Sequence, residues 1–187
     1  MTHTVLHGQE PTSAWVERWS HLVPQGASVL DVACGHGRHM RYFAGLGHVV
    51  VGVDRNPDAI AEVSPLGEAI CADIENGPWP FEGRQFGAVV VTNYLWRALW
   101  PQILNSLAPD GVLIYETFAD GNAQFGKPSN PDFLLKPGEL LTLAQESKLK
   151  VLAYEDIYLD QPKPAMVQRI CAVKGHLKGR IPLQFQG

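Results

Sequence analysis

Five short apolar runs, most of them separated by enough chain for a helix, constrain this sequence more than any other feature. The runs at 28–33, 48–53, 68–72, 87–92 and 112–116 are short, and several are rich in Val and Ile with polar residues only at their ends. Strands that are apolar on both faces belong inside a parallel sheet covered by helices. The segments 37–46, 57–63 and 96–107 have room for the crossovers such a sheet needs. Asn56 followed by Pro57 reads as an N-cap and a first helical residue, where the missing proline N–H costs nothing. The sequence APDG at 108–111 is turn chemistry ahead of the fifth strand.

Beyond residue 147 the pattern changes. The β-prone runs 149–158 and 165–173 are joined by only a few residues, including Pro162 and Pro164, which is too short for a parallel crossover and predicts an antiparallel hairpin. Upstream, Trp15, Val16, Trp19 and Leu22 recur at helical spacing, so residues 13–22 read as an amphipathic helix whose tryptophans pack into the core. The expected class is α/β. At 187 residues the chain fits one domain, 1–187, with tails at 1–12 and 175–187.

A formal net charge of −4 supplies no general field for gathering nucleic acid, and a small or neutral substrate is the simpler expectation. The one basic cluster, Lys174, Lys178 and Arg180 around His176, reads as a solvated tail. Three widely spaced cysteines, Cys34, Cys71 and Cys171, without a CxxC pair, point to neither a disulfide framework nor a zinc ribbon. The polar stretch 1–10 has no apolar h-region, and no apolar run reaches the roughly 20 residues of a membrane span. The expected location is the cytoplasm, with no membrane partner.

Chemistry concentrates in VLDVACGHGRH, residues 29–39. Asp31 closes an apolar run, Gly35 and Gly37 follow, and a helix can begin immediately after. Glycines there let the backbone turn with unusual dihedrals and let a ligand approach without a Cβ in the way. The free amides of the helix N-terminus then face that ligand. The next strand ends in GVD, and an acidic group at Asp54, followed by Arg55, can accept hydrogen bonds from both hydroxyls of a ribose. Both features suit a nicotinamide dinucleotide fold as well. The position of the third glycine of GxGxxG, needed beside a pyrophosphate, is Met40 here.

Taken together the segments resemble the class I S-adenosylmethionine (SAM)-dependent methyltransferases over almost the full chain. DVACGHG resembles the first motif of that family and VGVDRNP its ribose-binding acidic loop. CADIENGPWPF, residues 71–81, resembles the adenine-binding segment, and FGAVVVTNYLWR, residues 86–97, the fourth strand and its loop. Residues 115–135 look most like small bacterial members labelled tellurite-resistance-like or uncharacterised. The resemblance implies a Rossmann-like, doubly wound, mostly parallel seven-stranded sheet with a C-terminal antiparallel hairpin and helices on both faces. It implies that Cys34, Gly35 and Gly37 line the methionine side of SAM, that Asp54 holds the ribose, that Asp73 and Ile74 flank the adenine, and that Asn93 and Tyr94 lie below the sulfonium. The candidate cofactor residues are thus Asp31, Cys34, Gly35, Gly37, Asp54, Arg55, Asp73, Ile74 and Asn93.

Methyl transfer from a sulfonium needs a nucleophile aligned in line with the methyl carbon, and orientation alone can supply roughly 7–11 kcal/mol, so a base is optional. Tyr94 and Glu116, just past the ends of central strands, are the candidates at the acceptor. Each has an alternative role: Tyr94 can pack against the cofactor, and Glu116 can fix Thr117 or Asn93. His36 and His39 are only three residues apart in a cationic setting without a carboxylate partner, and a metal-free site is expected. The aperiodic segment 117–135, with Phe118, Phe125 and Phe133, is expected to form part of the acceptor site, or else to be a surface connection. Two rival classes stay open on the residues alone: a SAM-binding sensor or scaffold without chemistry, and a nicotinamide-dependent oxidoreductase.

Overall fold

A computed structural model describes residues 10–175. Seven strands form one sheet in the order β3-β2-β1-β4-β5-β7-β6. They are β1 (Ser28–Val32), β2 (Val49–Asp54), β3 (Glu68–Cys71), β4 (Phe86–Thr92), β5 (Leu107–Phe118), β6 (Lys150–Leu159) and β7 (Ala165–Val173). The first five run parallel, while β7 pairs antiparallel with both β5 and β6. The mostly parallel sheet and the terminal hairpin are those expected from the sequence. The tails expected at 1–12 and 175–187 fall, apart from residues 10–12 and Gly175, outside the described residues, as do three of the four members of the basic cluster.

The helices are α1 (Ala14–Trp19), α2 (Arg38–Gly45), α3 (Pro57–Val63), α4 (Trp100–Asn105) and α5 (Glu139–Glu146). Alternate residues of each central strand feed two apolar layers, because successive side chains point to opposite faces. On one face Val29, Val50, Val90 and Ile114 pack against Trp15, Trp19, Phe43 and Val63 of α1, α2 and α3. On the other, Leu30, Val51, Val91 and Leu113 meet Ile103, Leu140 and Ala144 of α4 and α5. No described helix is long and apolar enough to cross a membrane.

Local chemistry sets the boundaries. Asn56 caps α3 by accepting from the N–H groups of Asp58 and Ala59, with Pro57 at the first position. The helix expected over 13–22 divides: α1 stops at Trp19, and Ser20–Leu22 tighten into a 3-10 turn in which the Ser20 hydroxyl bonds the Glu17 carbonyl. A serine hydroxyl competing for a helix carbonyl favours such a break. The APDG stretch lies within the span of β5 as an irregularity: Phe86 pairs with Leu107 and Ala88 with Val112, with Asp110 at φ +60° between them. Between β3 and β4 the described chain has no helix. Trp79 and Phe81 cover the sheet instead, in an edge-to-face series with Phe86 at 5.3 and 5.6 Å between ring centres.

Strand order reverses at β1, which has β2 on one side and β4 on the other. Connections from β1 and β4 leave in opposite directions there and open a crevice at the carboxyl ends of the strands, where open α/β sheets hold ligands.

Candidate functional site

The chain leaves β1 through three left-handed residues, Ala33, Gly35 and Gly37, at φ +54°, +51° and +73°. The two glycines are needed for different reasons. A Cβ on Gly37 would collide with Val63, so this position lets α2 close on α3; a Cβ on Gly35 would meet nothing within 4 Å. Gly35 thus presents bare backbone to open space at the crevice. The missing third glycine also has a structural counterpart. Met40 lies over Gly52 of β2, where a Cβ would run into its sulfur, so the close helix-to-sheet approach is made by a glycine on the strand.

Asp54 ties this loop to β2. Its Oδ2 accepts from the Gly35 N–H at 2.8 Å and its Oδ1 from the Asn56 N–H at 2.9 Å. A carboxylate offers about four lone-pair directions, so each oxygen retains capacity for a hydroxyl donor. The end of β2 is joined to β3 in turn, the Ala72 N–H donating to the Asp54 carbonyl at 3.0 Å. Asp73, next along, is exposed and folded onto its own turn: its carboxylate accepts from the N–H groups of Glu75 and Asn76 and from the Asn76 amide. The Asn76 bonds first, then that of Glu75 and the field of Arg55, hold it below the usual carboxylate range. Ile74 is buried beside it, and Arg55 is exposed.

Asp31 is 2% exposed and its Oδ2 has no hydrogen-bond partner. Burial pushes its carboxyl up to about 7, against the pull of the Arg38 guanidinium and with the added push of Asp54. Its nearest base is His39, with Nδ1 at 4.0 Å. Burial, with Arg38 adding to it, lowers that imidazole to about 3, so it is neutral at ordinary pH. Burial also pushes the Cys34 thiol up, with Asp31 and Asp54 adding to the effect, which suits packing rather than nucleophilic attack. The two histidines of the loop diverge: His36 Nδ1 sits 2.7 Å from Glu62, while His39 turns inward. Among the described residues no three His, Cys, Asp or Glu side chains gather as a metal site.

At the ends of β4 and β5, Asn93 adopts φ +54° while its N–H donates to the Glu116 carbonyl at 2.9 Å. Left-handed backbone at a residue other than glycine is strain of the kind that concentrates at working sites. Tyr94 is half-buried; burial, and then the neighbouring Glu75 carboxylate, push its phenol up. A phenol held protonated orients a partner by donating, and is no base at neutral pH.

Glu116 has both oxygens engaged. Ser13 donates its hydroxyl to Oε1 at 2.7 Å, and Arg169 reaches Oε2 at 3.1 Å. Arg169 stands opposite Glu116 on one side and Glu155 on the other, bonding Glu155 through Nε at 2.6 Å, so the three form a charged row across β5, β7 and β6. Its guanidinium lies 4.9 Å from the centre of the Trp15 ring.

The segment after β5 is pinned rather than loose. Arg97 donates to the carbonyls of Asp132 and Leu134 and to both oxygens of Glu139, and Asn122 bonds the Pro128 carbonyl and the Met166 N–H. The site also takes in Ser13 and Arg169, which lie outside the motif segments, and His39 and Thr92, which lie within them but carry no cofactor or acceptor role from the sequence. Serine at a helix start and arginine in a strand read locally as a cap and a surface charge.

Residues 29–111 match a family model described as a methyltransferase domain. Many solved structures share the fold, among them the following three. A TehB-like SAM-dependent methyltransferase from Corynebacterium glutamicum superposes with a TM-score of 0.64 at 18% identity, over 91% of this chain and 89% of that one. TehB from Haemophilus influenzae gives 0.65 at 21% identity, over 91% of this chain and 63% of its own. Coclaurine N-methyltransferase, bound to N-methylheliamine and SAH, gives 0.64 at 12% identity, over 86% of this chain and 70% of that one.

Proposed function

We propose that this chain is a class I SAM-dependent methyltransferase, a reading that its matched methyltransferase domain and its sheet order support, and that it methylates a small-molecule acceptor in the cytoplasm, without nucleic acid or membrane as partner. The observation that carries the reading is the bond from Gly35 to Asp54, which places bare backbone and a carboxylate with free lone pairs together at the strand-order reversal.

The residues present fit SAM. The open side of Gly35 leaves room for a ligand against the loop, and the unpartnered Asp31 Oδ2 is an acceptor for the ammonium of the methionine part. Asp54 would hold the ribose diol, Ile74 with the Asp73 turn the adenine, and Cys34, Gly35 and Gly37 the methionine side. When bound, SAM supplies a methyl carbon already activated by its sulfonium.

The chain's own contribution is orientation. Asn93 and Tyr94 line the end of β4, where the fixed backbone of Asn93 and the protonated phenol of Tyr94 can direct an acceptor toward that carbon. Glu116, held by Ser13 and Arg169, serves better to set the shape and charge of the acceptor side than to accept a proton. An acceptor that arrives as a thiolate, or as another soft anion, needs no base.

Calorimetry with SAM, its demethylated product S-adenosylhomocysteine (SAH) and NAD tests the cofactor: SAM and SAH are expected to bind, and tight NAD binding without SAM binding would overturn the reading. Incubation of radiolabelled SAM with metabolite extracts tests catalysis. Label is expected in a small molecule; its persistent absence across extracts would leave a SAM-binding sensor in place of an enzyme.

A further inference from the structure

Residues 10–13 run past the site and are attached to it by a small set of polar contacts. The Ser13 N–H donates to His39 Nε2 at 3.3 Å, and its hydroxyl donates to Glu116 at 2.7 Å. Arg38 donates to the Pro11 carbonyl at 3.5 Å, faces the Glu10 carboxylate at 3.6 Å and reaches back to Thr92 Oγ1 at 3.4 Å. The anchors stand at the start of α2 and at the ends of β4 and β5. The segment therefore lies across the carboxyl ends of the strands that border the crevice.

His39 is the most buried member of this set, 2% exposed. Because Nε2 accepts from Ser13, the ring proton belongs on Nδ1, which faces Thr92 Oγ1 at 3.4 Å and the unpartnered oxygen of Asp31 at 4.0 Å. One neutral imidazole thus joins the crossing segment to the end of β4 and to the acid of the glycine loop. Ser13 is also the N-cap of α1, accepting from the Trp15 N–H at 3.1 Å, so the crossing segment and the helix meet at one residue that can act as a pivot.

We propose that His39 is a positioning residue that latches residues 10–13 across the crevice through its Nε2, so that cofactor exchange requires this latch to open. The proposal rests on the reading of the crevice as a SAM site. It assigns His39 no contact with reacting atoms. Its effect is on the rate at which the site opens.

The experiment follows SAH release from the full-length protein by stopped flow, chasing with excess SAM. Glutamine places its amide oxygen near the position of Nε2 and can keep the Ser13 bond, whereas asparagine is too short to do so. His39→Gln is expected to release SAH within about twofold of the wild-type rate, and His39→Asn about fivefold faster, the worth of one hydrogen bond. Ser13→Pro removes the N–H that His39 accepts, at a residue whose φ of −60° proline adopts, while Ser13→Ala loses only the hydroxyl. The proline variant is expected to release SAH faster than the alanine variant, which keeps the test alive should His39→Asn not fold. Equal release rates in wild type and His39→Asn, or in Ser13→Ala and Ser13→Pro, would overturn the latch, as would a His39→Gln protein as fast as His39→Asn. Failure of the wild type to bind SAH at all would instead overturn the cofactor reading, and the latch with it.

Discussion

The backbone N–H of Gly35 and the carboxylate of Asp54 meet at 2.8 Å, nineteen residues apart, and this bond fixes the glycine loop to the end of β2. Asp54 consequently does two things: it shapes the loop, and it offers its remaining lone pairs to a ribose. Asp54→Ala is expected to weaken SAM binding by about 1–3 kcal/mol, the worth of the bonds lost to a charged acceptor. Calorimetry measures this, and an unchanged dissociation constant would remove Asp54 from the site.

Gly35 and Gly37 separate ligand space from packing space. Alanine at either position bears a left-handed backbone penalty of about 1–2 kcal/mol. At Gly37 the new Cβ also meets Val63, adding about 1–3 kcal/mol of overpacking. Urea denaturation should find Gly37→Ala the less stable protein. Gly35→Ala should lose SAM affinity out of proportion to its small loss of stability, and wild-type affinity in that variant would mean the open side of Gly35 does not face the cofactor.

Much of the scaffold is legible from local pattern. The apolar runs locate β1 to β4 to within a residue or two, and α3 begins at Pro57 because its cap and first residue are adjacent in the chain. What the sequence conceals is joined across long separations. Ser13 and Glu116 are 103 residues apart, and Arg169 and Glu116 are 53 apart, so neither pair leaves a periodic signal. The interior of β5 was legible but its start was not, because an APDG turn and a strand irregularity use the same residues. The link from β3 to β4 shows the converse: Trp79 and Phe81 cover the sheet with aromatic area, which has no helical period to detect.

Arg169 bridges two carboxylates, of which Glu116 is the more buried, at 11% side-chain exposure against 27% for Glu155. Arg169→Met leaves Glu116 nearly buried without its cation and is expected to cost about 3 kcal/mol of stability. Arg169→Lys should fall between that variant and wild type, since an ammonium cannot present the planar fork that spans both partners. Glu155→Gln should cost less than Arg169→Met. Denaturant unfolding of the three variants gives the ranking, and equal losses would mean that Glu116 is compensated by solvent.

Asp31 and His39, 4.0 Å apart, link stability to pH in opposite directions. Asp31 rises from 3.8 to about 7 on folding, so its stabilising contribution is complete below pH 3.8 and is lost as pH climbs toward 7. His39 falls from 6.5 to about 3, so its contribution is complete above pH 6.5 and is lost as pH drops toward 3. Between these limits the folded pair carries the same number of protons as the unfolded pair, one on Asp31 in place of one on His39, and the slopes cancel. Removing either partner exposes the other. Relative to wild type, Asp31→Asn should grow more stable as pH rises from about 4 to 6.5, and His39→Gln less stable, each with a slope approaching about 1.4 kcal/mol per pH unit. Urea unfolding at several pH values in this window reads the slopes directly. Curves for both variants that run parallel to wild type would show that the two groups fold in their ordinary protonation states.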